Sequence, residues 1–309
     1  MRIVLLCATR RGYLFLKKLI ELSPNSEIIV FSFREEPWEP PFLESISQLT
    51  FNSGGRFFEA KILSNSSLIQ FWESTPVDLM LAVCWRYMIP TNVYRRPRLG
   101  TFVLHDSLLP KYRGFSPTVW AIINGEDHTG VTFFEIADEV DAGDIIDQKR
   151  VDIGPDDTIA TVMERVNEIY LDLLEWNLNK LIGGKAPRYP QDHSQATYTC
   201  KRLPEDNEID WALSSERIYN LIRAVTKPYT GAYTYLSGKK IKVWSAKRLS
   251  GFHQYVGRIP GRVVEIRPGE GSVVLTGNGA LLLTQIQIEG TQTVCAADVF
   301  NSLNQTLGG

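Results

Sequence analysis

Of the four histidines in the chain, only His105 directly follows an apolar, β-prone run, Phe102, Val103 and Leu104. A histidine at the point where a buried strand opens into a loop lies where open α/β sheets carry their catalytic groups. His128, His193 and His253 sit in polar turns and read as solvent-facing. Farther along, the cluster Asp138, Glu139, Val140, Asp141, Ala142, Gly143, Asp144 follows a second strand-like run, 130–136. If both strands end on the same side of the sheet, an aspartate meets the imidazole. An imidazole held by a carboxylate is a general base of defined tautomer. Asp138, Asp141 and Asp144 offer a metal only carboxylate oxygens, with no His or Cys at ligand spacing, so no metal site is expected and hard-cation binding is the remote alternative. Lys111 and Arg113, in the loop after His105, suit a substrate phosphate or an anionic tail, or else a solvated loop. Arg10 and Arg11 open the first helix, where they hold an anion or stand in water.

The run His105-x-Ser107-Leu108-Leu109-Pro110-x-x-Arg113-Gly114, with Asp141-Ala142-Gly143-Asp144 beyond it, resembles the signature of the folate-dependent formyltransferases. That family includes methionyl-tRNA formyltransferases, sugar-nucleotide N-formyltransferases and the hydrolase domain of 10-formyltetrahydrofolate dehydrogenase. The likeness continues more weakly over residues 1–249. It implies N10-formyltetrahydrofolate as co-substrate, His105 handling the proton and Asp141 supporting it. It also implies a folate pocket lined by Trp85, Arg86, Tyr87, Met88, Ile89, Leu108, Ile136, Asp138, Glu139 and Val140. The acceptor site would use Arg10, Arg11, Ser107, Lys111 and Arg113.

One position departs from the pattern. Transferases of the family keep an asparagine two residues before the histidine, and here Val103 stands there. Valine donates no hydrogen bond, and losing one oxyanion donor typically costs about 3 kcal/mol. The hydrolase domain of the dehydrogenase also carries an aliphatic residue at this place. Three readings follow: an N-formyltransferase acting on a small amine, a 10-formyltetrahydrofolate hydrolase using water, and a weakened relative that binds folate or a sugar nucleotide without turnover. The transferase reading is preferred, with a nucleotide-linked amino sugar as acceptor and a homodimer as the compatible assembly. Residues 34–41, with three prolines and three glutamates, form a short acidic loop where tRNA-modifying relatives carry a basic insertion. The run Ile222-Arg223-Ala224-Val225-x-x-Pro228 ahead of 239–244 is similar to the sugar-modifying relatives.

The elements that must position these residues follow from apolar patterning. Residues 1–7, 27–31 and 76–83 are nearly continuous apolar runs, as expected for parallel strands covered on both faces. A helix over 13–22 completes a β-α-β opening. Its first turn lacks the glycines of a dinucleotide site. Ser116 and Pro117 predict the N-cap and first residue of a helix to 124. Residues 158–181 carry an apolar stripe, Ile159, Val162, Met163, Val166, Ile169, Tyr170, Leu173 and Leu174, and predict a long helix with a core-facing side. Beyond 207, a short helix at 215–225 and β-prone runs at 232–236, 239–245, 262–266, 272–276 and 281–288 suggest a small barrel. The expected fold is α/β: a Rossmann-like open sheet (1–184), a linker (185–206) and a small open β-barrel (207–309).

With 309 residues the chain is long enough for one large and one small domain. A formal charge of −2 and a pI near 6.1 give no support to nucleic-acid binding. Cys7, Cys84, Cys200 and Cys295 show neither metal-ligand nor disulfide spacing, and Cys7 and Cys84 read as buried thiols. The apolar runs are of strand length and no signal-peptide pattern opens the chain, so a cytoplasmic protein with no membrane partner is expected.

Overall fold

The computed structural model describes residues 1–308. The chain forms two compact units. The first comprises Met1–Pro117, Thr129–Val151 and Glu164–Thr199, and the second Thr118–His128, Asp152–Met163 and the residues from Cys200 onward.

The first part of the chain runs β1 (Arg2–Cys7), α1 (Thr9–Leu22), β2 (Glu27–Ser32), α2 (Leu43–Asn52), β3 (Arg56–Glu59), α3 (Ser66–Ser74) and β4 (Leu79–Val83). It continues through α4 (Thr91–Tyr94), β5 (Thr101–His105), β6 (Arg113–Gly114), α5 (Pro117–Ile123), β7 (His128–Glu135), β8 (Ile145–Asp152), α6 (Ile159–Ile182) and β9 (Tyr198–Thr199). Among the described residues the main sheet has seven strands in the order β3-β2-β1-β4-β5-β7-β8. The pairs β1–β2, β1–β4, β2–β3 and β4–β5 are parallel. Sequential order breaks at β1, which has β2 on one side and β4 on the other. The carboxyl ends of β1 and β4 are therefore the switch point where ligands bind open sheets of this kind.

The apolar runs account for the core. Residues Ile3 to Leu6 and Leu79 to Val83 are buried. On one face of the sheet, Val4, Leu6, Met80 and Ala82 pack with Ile29, Phe31, Leu68, Trp72, Val93 and Tyr94 into one cluster, against which Trp85, Val103 and Ile136 rest half-buried. The α6 stripe is buried as predicted, except for Met163, which is only half-buried. The elements α2, β3 and α3 are additions to the sequence reading. They are short, and their polar flanks hide a weak periodicity. Ser116 does not take the extended N-cap conformation, having φ +50°, although Pro117 does begin the helix. Cys7 is buried, and burial pushes its thiol pKa well up.

In the second unit, α7 (Ser215–Val225) starts from Ser214, whose side chain accepts from Arg217 N–H. After it come β10 (Ala232–Leu236), β11 (Lys239–Arg248), β12 (Val263–Arg267), β13 (Gly271–Leu275), β14 (Ala280–Ile288), β15 (Val294–Cys295) and α8 (Ala296–Val299). These strands form an antiparallel sheet of order β10-β11-β14-β13-β12, with β15 added beside β14. The sheet is open, because its outer strands β10 and β12 do not pair with each other. Among the described residues no helix is long and apolar enough to cross a membrane.

Phe31 is fully buried and stacked between Phe58 (centroids 4.9 Å apart) and Trp72 (5.1 Å). Phe31→Ala is expected to destabilise the first unit by about 3–5 kcal/mol, through lost burial and the cavity left behind. Urea unfolding followed by tryptophan fluorescence measures it, and a loss below about 1 kcal/mol would contradict this packing.

Candidate active site

His105 is the last residue of β5 and is buried. Its neighbour β7 runs antiparallel, with His105 opposite Thr132 and Phe102 opposite Glu135. The strand preceding the acidic cluster therefore ends at the far end of β5, not beside His105 as the sequence reading assumed. The cluster still reaches the imidazole because the loop over 136–144 doubles back along β5. Three strand residues span only about 10 Å, so five residues of loop are ample. Gly143 makes the return tight: a Cβ there would stand 1.7 Å from the Glu135 carbonyl oxygen. Asp141 itself sits at φ +51°, a left-handed conformation that costs a non-glycine residue energy.

The imidazole is held differently from the expected hydrogen-bonded pair. Its Nε2 lies 2.8 Å from the Tyr112 carbonyl oxygen. A carbonyl only accepts, so Nε2 carries the hydrogen. Nδ1 then faces Asp141 Oδ2 at 3.6 Å, a charge contact longer than a hydrogen bond. The same Oδ2 accepts from Gly114 N–H at 2.8 Å. Asp141 thus does not orient the ring from behind. It stands beside the basic nitrogen, where it meets the N–H of an imidazolium once Nδ1 takes a proton.

Backbone and side-chain bonds fix the loop after His105. Thr132 Oγ1 donates to the Ser107 carbonyl (2.6 Å) and accepts from Leu109 N–H (3.0 Å) and Gln148 Nε2 (2.8 Å). Gln148 Nε2 also donates to the Leu109 carbonyl (2.8 Å). Ser107, expected at the acceptor, is buried and donates to the Lys111 carbonyl at 2.7 Å. Lys111 is exposed. Arg113, also expected at the acceptor, is 1% exposed. Its Nη2 donates to Gln191 Oε1 (2.6 Å) and to His193 Nδ1 (3.0 Å), and its Nη1 to Tyr198 Oη (3.2 Å). Gln191 Nε2 in turn donates to the carbonyls of Asp141 (2.9 Å) and Gly143 (2.7 Å). Arg113 therefore braces the aspartate loop from inside.

The arginines at the first helix correct the sequence reading as well. Arg11 is buried, its Nη1 2.7 and 2.8 Å from the two Asp106 carboxylate oxygens. Burial would push the Asp106 carboxyl up, but the Arg11 charge and hydrogen bond, with a bond from Tyr170, hold it below the usual range. Arg10 is exposed and pairs with Glu164 at 2.5 Å, a surface contact of small worth. Arg11 is therefore not open to an anion at the helix start, whereas Arg10 lies in solvent.

Of the expected pocket residues, Trp85 rests with Val103 and Ile136 on the core cluster, beside Tyr87 (centroids 5.9 Å apart). Met88, Glu139 and Val140 are exposed, and Leu108 is half-buried. Ile89 is buried in the cluster. Arg86 makes a two-pronged bond to Glu39, at 2.7 and 2.5 Å. Asp138 is bound by Tyr94 Oη and, at 2.7 Å, by Arg95. Val103 and His105 share a face of β5, about 7 Å apart along the strand. Gln191, Thr132, Gln148 and the Tyr112 carbonyl were not found from sequence. Nothing in a polar loop or an apolar strand marks them.

Comparison with known proteins places this geometry in context. A family model described as formyl transferase matches residues 19–174, and one described as formyl transferase, C-terminal domain, matches 202–304. The bifunctional polymyxin resistance protein ArnA of Wigglesworthia glossinidia brevipalpis is 31% identical over 268 residues, covering 87% of this chain and 40% of ArnA. The fold is similar to an N-formyltransferase from Helicobacter canadensis solved with folinic acid and dTDP-3-aminofucose. There the TM-score is 0.70 at 18% identity, over 92% of this chain and 99% of that one. It is also similar to HypX from Aquifex aeolicus in complex with tetrahydrofolic acid. That match has a TM-score of 0.62 at 21% identity, over 97% of this chain and 46% of HypX. The chain thus spans less than half the length of ArnA and of HypX.

Two outcomes follow from the buried charges. Gln191→Ala removes an acceptor from a buried guanidinium and two donors from the aspartate loop, and is expected to cost about 1.5–3 kcal/mol in urea unfolding. A cost under about 0.5 kcal/mol would remove Gln191 from the brace. Asp106 binds its proton less readily folded than unfolded. Its stabilisation is therefore complete above the unfolded carboxylate value of about 3.9 and fades as pH falls through the lower folded value. Asp106→Asn is expected to cost about 3 kcal/mol at pH 6. The gap to wild type should narrow as pH falls toward 3, and a gap that widens would refute the sign.

Proposed function

The chain belongs to the formyl transferase family, and on that premise we propose that it moves a formyl group from N10-formyltetrahydrofolate to the amine of a small acceptor, a nucleotide-linked amino sugar. One observation carries the reading. His105 has Nε2 tied to the Tyr112 carbonyl and Nδ1 beside Asp141 Oδ2. That arrangement is a base whose free nitrogen is defined and whose charged form has a carboxylate waiting.

The residues around it suit a flat heteroaromatic ring. Trp85, Val103 and Ile136 form an apolar wall, and Met88 and Val140 are exposed apolar side chains on the segments that adjoin it. The co-substrate supplies the formyl carbon and a leaving nitrogen. His105 Nδ1 takes the proton of the attacking amine, and Asp141 balances the imidazolium. The same N–H then returns the proton to the leaving nitrogen. The acceptor exchanges N–H for N–C, the donor exchanges N–C for N–H, and the ring ends neutral. This work lies within residues 1–184.

The amino-sugar acceptor is supported by the likeness to the H. canadensis enzyme, solved with a dTDP-linked aminosugar. The acidic loop over 34–41 suits a small acceptor better than a nucleic-acid backbone. Val103 carries a second reading, with water as acceptor, because the hydrolase domain that the sequence resembles is also aliphatic at this position.

Incubation with N10-formyltetrahydrofolate, with and without amino-sugar nucleotides, separates the two. Amine-dependent turnover is expected, falling by about 10²–10⁴ in His105→Ala. Amine-independent turnover would select the hydrolase. Val103→Asn is expected to raise formyl transfer by about 100-fold, because an added donor acts mainly on the transition state. Vigorous wild-type transfer, unchanged by Val103→Asn, would show that position 103 has no such role.

A further inference from the structure

We propose that a group of four residues, buried Arg11 and Tyr170 with half-buried Asp106 and Asn167, positions His105 for proton transfer. The inference rests on the reading of His105 as the proton-handling residue. None of the four is offered as a substrate contact; they act through the backbone of the histidine.

The need for such a device follows from the sheet. The β4–β5 ladder ends at the pair Val83–Leu104, so His105 has no partner on that side and only Thr132 on the other. A strand end held on one edge would fray into the loop that follows. Here two elements bond the peptide groups on either side of the histidine, and a third holds the Asp106 side chain. Tyr170 Oη on α6 shares its one hydrogen between the Asp106 carboxylate, the nearer acceptor, and the Leu104 carbonyl at 3.0 Å. Arg11 on α1 bonds both oxygens of that carboxylate, while its Nε donates to Asn167 Oδ1 at 2.6 Å. Thr129 Oγ1 on β7 donates to the Asp106 carbonyl at 3.0 Å.

The guanidinium has little freedom, because Asp106 and Asn167 fix its plane and it lies 4.4 Å over the Tyr170 ring. Its Nη1 and Nε are bonded in different directions, which a lysine ammonium at the same place cannot reproduce. The Asp106 carboxylate is therefore fixed, and with it the peptide that leads out of His105. An error of about 1 Å in such a group costs roughly 100-fold in rate.

Arg11→Lys and Tyr170→Phe test this, the second keeping the ring under the guanidinium. In both variants the kcat of folate turnover is expected to fall about tenfold or more, with KM for the formyl donor within about twofold. ¹⁵N NMR of the His105 ring in unliganded protein is expected to change from one Nε2–H tautomer in wild type to a mixture of tautomers. A loss of general stability alone would not move the tautomer. If Arg11→Lys fails to fold, Tyr170→Phe decides. A folded variant with wild-type kcat, or with lowered kcat and an unchanged tautomer, overturns the proposal. Wild-type protein without folate turnover, or His105→Ala without loss, strikes the functional reading instead. The NMR result on the unliganded protein then still decides the positioning.

Discussion

A charge taken out of water must be matched inside the protein, and two arginines place that demand beside the candidate site. Arg11 and Arg113 have nearly all their surface removed from solvent. A lone buried guanidinium would cost several kcal/mol, so each fixes what surrounds it. Arg11 fixes Asp106, the residue after the histidine. Arg113 fixes Gln191, and through it the carbonyls of Asp141 and Gly143. The two halves of the His105–Asp141 arrangement are thus each braced by a buried cation. The apolar core alone supplies no such directional hold on polar groups, because the hydrophobic effect is non-directional.

The sheet sets a second constraint. Parallel strands β1, β4 and β5 bring their carboxyl ends to one side, and His105 stands there with the segment that begins at Cys84. The antiparallel β7 breaks the pattern, carrying its own end away. Asp141 comes back only through a loop that passes within contact of the Glu135 carbonyl at Gly143. The aspartate is therefore a product of loop closure, and its left-handed backbone is part of that closure. A carboxylate placed this way meets Nδ1 from the side, while the Tyr112 carbonyl takes Nε2. The chemistry that results is a base with its counter-charge on the reacting side of the ring.

Val103 sits among apolar neighbours on the same face of β5 as His105, and the core cluster on which it rests, with Trp85 and Ile136 beside it, suits an aliphatic side chain. An asparagine at this position would leave its amide unpaired against that surface until a developing oxyanion accepted from it. The valine is consistent with its surroundings at the level of packing. Any demand for an oxyanion donor therefore falls on groups other than the side chain at 103.

Much of this was legible in the chain itself. Continuous apolar runs at 1–7, 27–31 and 76–83 specify buried parallel strands, because only a strand covered on both faces tolerates them. The stripe on 158–181 specifies the side that α6 buries, and the apolar run before His105 singles that histidine out from the other three. These are local signals, carried by neighbours in sequence. The fate of the charged side chains was not local. Arg11 and Arg113 look like surface cations, and their partners Asp106, Asn167, Gln191 and His193 come from elsewhere in the chain. The interleaving of 118–128 and 152–163 with the C-terminal residues is likewise invisible to any periodicity. Hydrophobic pattern fixes which elements form, because burial depends on composition along a strand or helix. Which polar groups meet depends on direction and distance to within about 1 Å, and only the closed tertiary structure decides that.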